Sequence, residues 1–205
     1  MNLTIATVLQ CGGEYVERHV HALRDQCKKH IPWADFVCLS DGHPDECDKT
    51  IPLVNDYPGW WSKMELFKLN GPILYMDLDT VVYGSCDHWL HQIENERFVI
   101  LRNISRDPKD PNPAFGSGIM YWSGDMSWVY DKYLEKGCPT EYRGGDQKFI
   151  EDHFEGDFSY FQSYTDDIVS YKQKIRTGEF PLCNASIVYF HGRPRPWEQE
   201  QVAWP

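Results

Sequence analysis

The stretch Gly71-Pro72-Ile73-Leu74-Tyr75-Met76-Asp77-Leu78-Asp79-Thr80-Val81-Val82 constrains this chain more than any other. Its apolar run, opened by Gly-Pro, predicts a short strand buried on both faces. The strand runs into two carboxylates. In an extended chain residues i and i+2 share a side, so Asp77 and Asp79 converge beyond the strand's carboxyl end, where open α/β sheets place their ligands. Two carboxylates in so apolar a setting are unfavourable unless something positive stands between them. Two readings follow. One is a divalent cation held by oxygen ligands; the other is turn chemistry, with the Asp side chains accepting backbone N–H bonds.

Around this strand, apolar runs alternate with helix-patterned segments. Residues 3–9 predict a first strand, Gln10-Cys11-Gly12-Gly13 a turn, and residues 14–30 a helix with Tyr15, Val16, His19, Val20, Leu23 and Cys27 at compatible spacings. Strands are expected over 35–40 and 51–54, then a helix over 60–69 that carries Lys63. Beyond Val82 the pattern gives a short helix over 87–94, a strand over 98–102 and a loop rich in Pro and Asp over 107–113, of the length of a lid or a disordered connection. Next comes a strand over 114–122 whose Gly116-Ser117-Gly118 lets a ligand or backbone approach closely. A helix follows around 128–134. Gly144-Gly145-Asp146-Gln147 opens another, with Asp146 a candidate cap. Short strands are expected over 168–172 and 185–190. The tail from His191 to Trp197, with two prolines close together, is expected to be non-helical.

This alternation predicts an α/β fold: a single Rossmann-like domain with a mostly parallel central sheet flanked by helices. Residues 1–80 would form a nucleotide-binding half and 81–205 an acceptor half with a terminal phosphate and metal motif. The Gly-Gly turn is too short for a P-loop or a dinucleotide fingerprint. It also lacks the cation a nucleotidyltransferase would want.

The net charge of −11 argues against nonspecific affinity for a nucleic-acid backbone. A nucleotide pyrophosphate is still admissible, because one metal ion and a few local cations hold it whatever the total charge. Seven cysteines, an odd number with no C-x-x-C pair, are expected to be reduced thiols, mostly buried. With no signal-like segment and no run long enough to span a membrane, the expectation is a soluble, cytoplasmic protein. Among the tryptophans, residues 60, 61, 89, 197 and 204 are candidates for an exposed ligand-binding face or for core filling, the latter being the general tendency of tryptophan.

The order of these pieces resembles the glycosyltransferases of the GT-A fold, most closely the family-8 type and its small bacterial and phage relatives. Residues 74–80 look like the Asp-x-Asp metal motif, and residues 115–120 look like the family's small-residue sugar-site strand. Gly145-Asp146-Gln147 is similar to its Asp-Gln pair, and His191 to Trp197 to its terminal His…Gly…Lys-Pro-Trp. The resemblance implies a hexosyl- or pentosyltransferase that moves a sugar from a nucleotide donor, a UDP-sugar, to a glycan or other hydroxyl acceptor with retention. It implies Asp77, Asp79 and His191 as metal ligands, for Mn2+ by the nitrogen donor, with Mg2+ the alternative. It further implies donor contacts at Thr7, Tyr15, Lys63, Leu78, Gly116, Ser117, Gly118, Gly192 and Arg195, with Tyr15 stacking on the uracil, and catalytic roles for Asp146, Gln147 and Lys63. Arg195 stands where the family has Lys, and Gly116 where it commonly has Asn; the segment from His191 to Arg195 is shorter than in many members. Two rivals accompany this reading. One is a phage-type enzyme acting on modified DNA bases through Lys172, Lys174, Arg176, Arg193 and Arg195; the other is a nucleotide-sugar binding module without turnover.

Overall fold

A computed structural model describes residues 2–44, 47–103, 114–202 and 204. The loop expected over 107–113 lies outside them. The chain opens with β1 (Thr4–Leu9), α1 (Glu17–His30), β2 (Asp35–Ser40) and β3 (Lys49–Pro52). A 3-10 segment (Gly59–Lys68) leads into β4 (Ile73–Met76). Then follow β5 (Thr80–Val82), α2 (Asp87–Ile93), β6 (Phe98–Arg102) and β7 (Phe115–Trp122). The rest is α3 (Ser127–Glu135), α4 (Gly145–His153), β8 (Ser159–Tyr160), β9 (Ile168–Ser170) and β10 (Ile187–Tyr189).

Seven strands form one sheet in the order β3-β2-β1-β4-β7-β6-β8. β7 runs against both neighbours, and every other pairing in that sheet is parallel. The sheet is therefore mostly parallel, as expected. Its strands are apolar on both sides because both faces are covered. Leu74 and Met76 face the layer that holds Val20, Leu23 and Trp89, while Ile73 and Tyr75 face Trp61, Phe67, Tyr133 and Phe149. Fully burying each such side chain contributes roughly 1.5–3 kcal/mol.

The run over 71–82 is two strands in two sheets. β4 sits at the centre of the large sheet, whereas β5 joins β10 and β9 in a three-stranded one. The change of sheet is made by Asp77-Leu78-Asp79, closed by Thr80 N–H donating to the Asp77 carbonyl at 3.0 Å. Because β4 pairs with β7 and β5 with β10, the halves 1–80 and 81–205 share their sheets.

Four local expectations change. α1 begins at Glu17, with residues 10–16 forming a turn after β1. Residues 59–68 wind as a 3-10 segment because Trp61 through Phe67 are all buried, so there is no polar face for an amphipathic helix to turn outward. The strand expected over 168–172 stops at Ser170, whose hydroxyl accepts Gln173 N–H and starts a wider turn. Finally, the tail does contain a helical turn, Pro196–Glu198, because proline suits its first position and the Glu198 carboxylate accepts Arg195 N–H at 2.8 Å.

All seven cysteines are free, but only Cys27, Cys38 and Cys86 are buried; Cys11 and Cys183 are exposed. No helix among the described residues is long and apolar enough to cross a membrane.

Candidate functional site

The carboxyl ends of β1 and β4 open onto a cleft of 1160 Å³ lined by residues from both halves of the chain. Since β7 is antiparallel to β4, its first residues lie beside the last of β4, and Asp77 N–H donates to the Gly118 carbonyl at 2.9 Å. The register of β10 against β5 sets Tyr189 opposite Thr80, so His191 emerges two residues later at the same rim.

Two linked charge clusters fill the floor. In the first, Lys63 Nζ lies 3.1 Å from Asp77 Oδ1 and 3.0 Å from Asp146 Oδ2. Ser117 Oγ donates to the same Asp146 oxygen at 2.8 Å. Asp146 is therefore bound to Lys63 and Ser117 and does not cap α4. Tyr75, two residues before Asp77 and on the same side of the strand, donates its hydroxyl to Asp77 Oδ1. Burial opposes the charge of Lys63, but Asp146 and Asp77 outweigh it and raise its pKa. In the second cluster Asp79 accepts the Tyr15 hydroxyl at 3.0 Å and pairs with Arg195 Nη1. Arg195 also pairs with Glu14 at 2.8 Å, and its guanidinium lies 5.2 Å from the Tyr15 ring centre. Arg195 thus stands over one face of Tyr15, the ring expected to stack on a base.

Four carboxylates, Asp77, Asp79, Asp146 and Glu14, thus share two cations, Lys63 and Arg195, with Glu14 also meeting Arg193. The surplus appears at Asp79: burial and the charge of Asp77 push its carboxyl up to about 7, against the pull of Arg195, Tyr15 and Lys63. A pair of carboxylates short of positive charge fits a divalent cation. His191 is not yet part of that set. Its Nε2 is 3.0 Å from Ser170 Oγ, and burial and Lys172 lower its pKa. Among the described residues no three His, Cys, Asp or Glu side chains stand together as a ready ligand group.

Of the other expected residues, Leu78, Gly116, Ser117, Gly118, Gln147 and Gly192 line the cleft. The small residues of β7 make room chiefly for protein: a β-carbon on Gly118 would lie 3.2 Å from Asp77 Oδ2, and one on Gly116 would lie 3.1 Å from Leu101 Cβ. Thr7 does not reach the cleft. It is fully buried and donates its hydroxyl to the Met76 carbonyl at 3.0 Å. Glu14, Tyr75 and Ser170 escaped the sequence reading, while Trp60, one of its candidate tryptophans, does line the cleft. Only Tyr75 had a signal, its period-two spacing from Asp77.

No family model and no curated protein matches this sequence. Solved structures do match it. The galactosyltransferase LgtC, in a complex with donor and acceptor sugar analogs, superposes with a TM-score of 0.65 at 13% identity over 98% of this chain and 91% of that one. GlyE of Streptococcus pneumoniae TIGR4 gives 0.69 at 14%, covering 97% of this chain and 57% of that one. A glycosyltransferase involved in glycosylation of the major capsid of PBCV-1 gives 0.61 at 13%, covering 98% of each. The chain has the GT-A fold of these proteins.

Proposed function

We propose that this protein is a metal-dependent glycosyltransferase that moves a sugar from a nucleotide donor, a UDP-sugar, to a hydroxyl acceptor with retention. One observation carries the reading. Asp77 and Asp79 meet at the carboxyl end of the central strand and, together with Asp146, carry more negative charge than Lys63 and Arg195 balance, in a cleft large enough for a nucleotide sugar. Asp77 and Asp79 would hold Mn2+, and His191 would join them by leaving Ser170. When bound, the ion neutralises charge that develops on a diphosphate leaving group.

The chain's own groups divide the remaining work. Arg195 offers a planar fork that exchanges carboxylate for phosphate oxygens. Lys63 fixes Asp77 and Asp146 relative to each other, and Asp146 stabilises positive charge near the reacting carbon. With an ammonium at 3.0 Å and a hydroxyl at 2.8 Å, the Asp146 carboxylate is a poor nucleophile and a poor base. That favours a front-face attack in which the departing phosphate takes the acceptor's proton, hence retention.

The test is nucleoside diphosphate release from a panel of nucleotide sugars, with Mn2+ present or chelated. Release is expected from a UDP-sugar, lost on chelation, and lowered about a hundredfold or more in Asp79→Ala and in Asp146→Ala. Nucleotide binding without release from any donor would leave a binding module, and absence of both would end the glycosyltransferase reading.

A further inference from the structure

Trp60 and Trp61 are consecutive indoles with opposite fates. Trp61 is 2% exposed and donates Nε1–H to the Thr140 carbonyl at 2.9 Å. Trp60 is 62% exposed, on the cleft. Gly59, with φ of +57°, makes the left-handed turn that leads into them. The indole edge of Trp60 rests on Gly145: a β-carbon there would lie 3.0 Å from Trp60 Nε1, and Gly145 itself holds φ of +70°. No described side chain stacks on the Trp60 ring or hydrogen-bonds its Nε1. A large apolar face is therefore open beside Gly145, the residue that precedes Asp146.

Contacts place this face at one end of the site. Tyr15 and Arg195 meet Asp79; the turn leads from Asp79 to Asp77; Lys63 bridges Asp77 to Asp146; Gly145 carries Trp60. Trp60 thus adjoins Asp146 through Gly145, whereas Arg195, the group offered above for the phosphates, adjoins Asp79. We propose that Trp60 is the acceptor platform, and that the acceptor is a carbohydrate whose apolar C–H face lies on the indole. This rests on the glycosyltransferase reading above. An indole also stacks on a nucleobase, but a nucleic acid needs cations free to meet its phosphates. Here Lys148, on α4, pairs with Glu151 and Asp152, and Arg143, exposed and without an ion pair among the described residues, is one cation where a nucleic-acid backbone asks for several. Of the basic residues 172–195, Lys174 pairs with Glu179 and Arg193 with Glu14 and Glu198, whereas Lys172, beside His191 and Gly192, and Arg176 have no ion pair among the described residues. A sugar, uncharged and amphipathic, fits the exposed face without cations.

The experiment compares wild type, Trp60→Ala and Trp60→Phe in the presence of UDP and Mn2+. Calorimetry measures UDP, and saturation-transfer NMR measures methyl β-D-galactopyranoside, methyl β-D-glucopyranoside and a short oligothymidylate. At least one glycoside should receive saturation on the ring protons of one face. Its affinity should fall about tenfold in Trp60→Ala and less in Trp60→Phe, with UDP affinity retained. Four results overturn the proposal: neither glycoside binds wild type; glycoside affinity is unchanged in Trp60→Ala; UDP affinity falls in parallel, which would place Trp60 on the donor; or only the oligothymidylate is saturated. If UDP fails to bind wild type, the glycosyltransferase reading itself is lost. If UDP binds and the glycosides ignore Trp60, only the acceptor assignment is.

Discussion

Asp79 is under two opposing demands. Folding removes its carboxylate from water beside a second carboxylate, and function asks it to be charged. In the folded chain it titrates near 7, raised by burial and then by Asp77; unfolded, it would titrate near about 3.9. Between those values the folded protein keeps a proton that the unfolded chain has released, so this residue's contribution to stability falls as pH rises through that window. At about 1.4 kcal/mol per unit the loss amounts to a few kcal/mol, with Arg195 limiting it. Asp79→Asn, which has nothing to titrate, should show a shallower decline. Urea unfolding of both proteins at about pH 5 and about pH 8 measures this, and parallel declines would mean that Asp79 is ionised throughout.

At the scale of elements, the 3-10 segment Gly59–Lys68 matters most, because it delivers Lys63 to the floor of the cleft and Trp60 to its rim. It is anchored by Glu65, 1% exposed, whose carboxylate accepts Val54 N–H at 3.1 Å, Asn55 N–H at 2.8 Å and the Asn55 side-chain amide at 3.1 Å. Burial alone would raise its pKa, but Lys68 and these donors hold it below the usual range. Glu65→Gln removes the charge and presents an N–H where an acceptor is needed. It should lose about 1–3 kcal/mol and speed hydrogen exchange at the Val54 and Asn55 amides before global unfolding. Unchanged exchange there would show that the segment is held by packing alone. The sequence announced the strands around this segment, since β1, β2, β4 and β6 are apolar runs that only a doubly covered sheet accommodates. It did not announce the winding of 59–68, because seven consecutive buried positions carry no periodicity. β8, two residues long, had no pattern to show. Nor could spacing reveal that Asp77-Leu78-Asp79 passes the chain from one sheet to another, since that depends on where β7 and β10 pair. Asp77 and Asp79 were legible because period two is local; the Lys63 bridge to Asp146 was not, because it spans the 3-10 segment, β7 and α4.

The whole molecule is closed by its tail. β10 lies between β5 and β9, which sends residues 191–198 back across the amino-terminal turn. Arg195 there reaches both Glu14 and Asp79, while Trp197 packs 4.2 Å from His19 and edge-on at 5.9 Å to Tyr15, ring centre to ring centre. The tail and the acidic pair therefore act as one electrostatic unit. Arg195 is among the groups that pull the Asp79 pKa down, so removing it should let that value rise further above about 7. In Arg195→Ala, binding of UDP with Mn2+ should then fall for two reasons, a lost phosphate contact and a carboxylate more often protonated. Only the second depends on pH. The deficit relative to wild type should be larger near about pH 7 than near about pH 9, where Asp79 is ionised in both proteins. Arg195→Lys keeps the charge without the planar fork, so it should restore the wild-type pH dependence while leaving affinity reduced. Calorimetry across that range separates the two contributions. A deficit constant with pH would mean that Arg195 acts on the phosphates alone and that its contact with Asp79 has no part in binding.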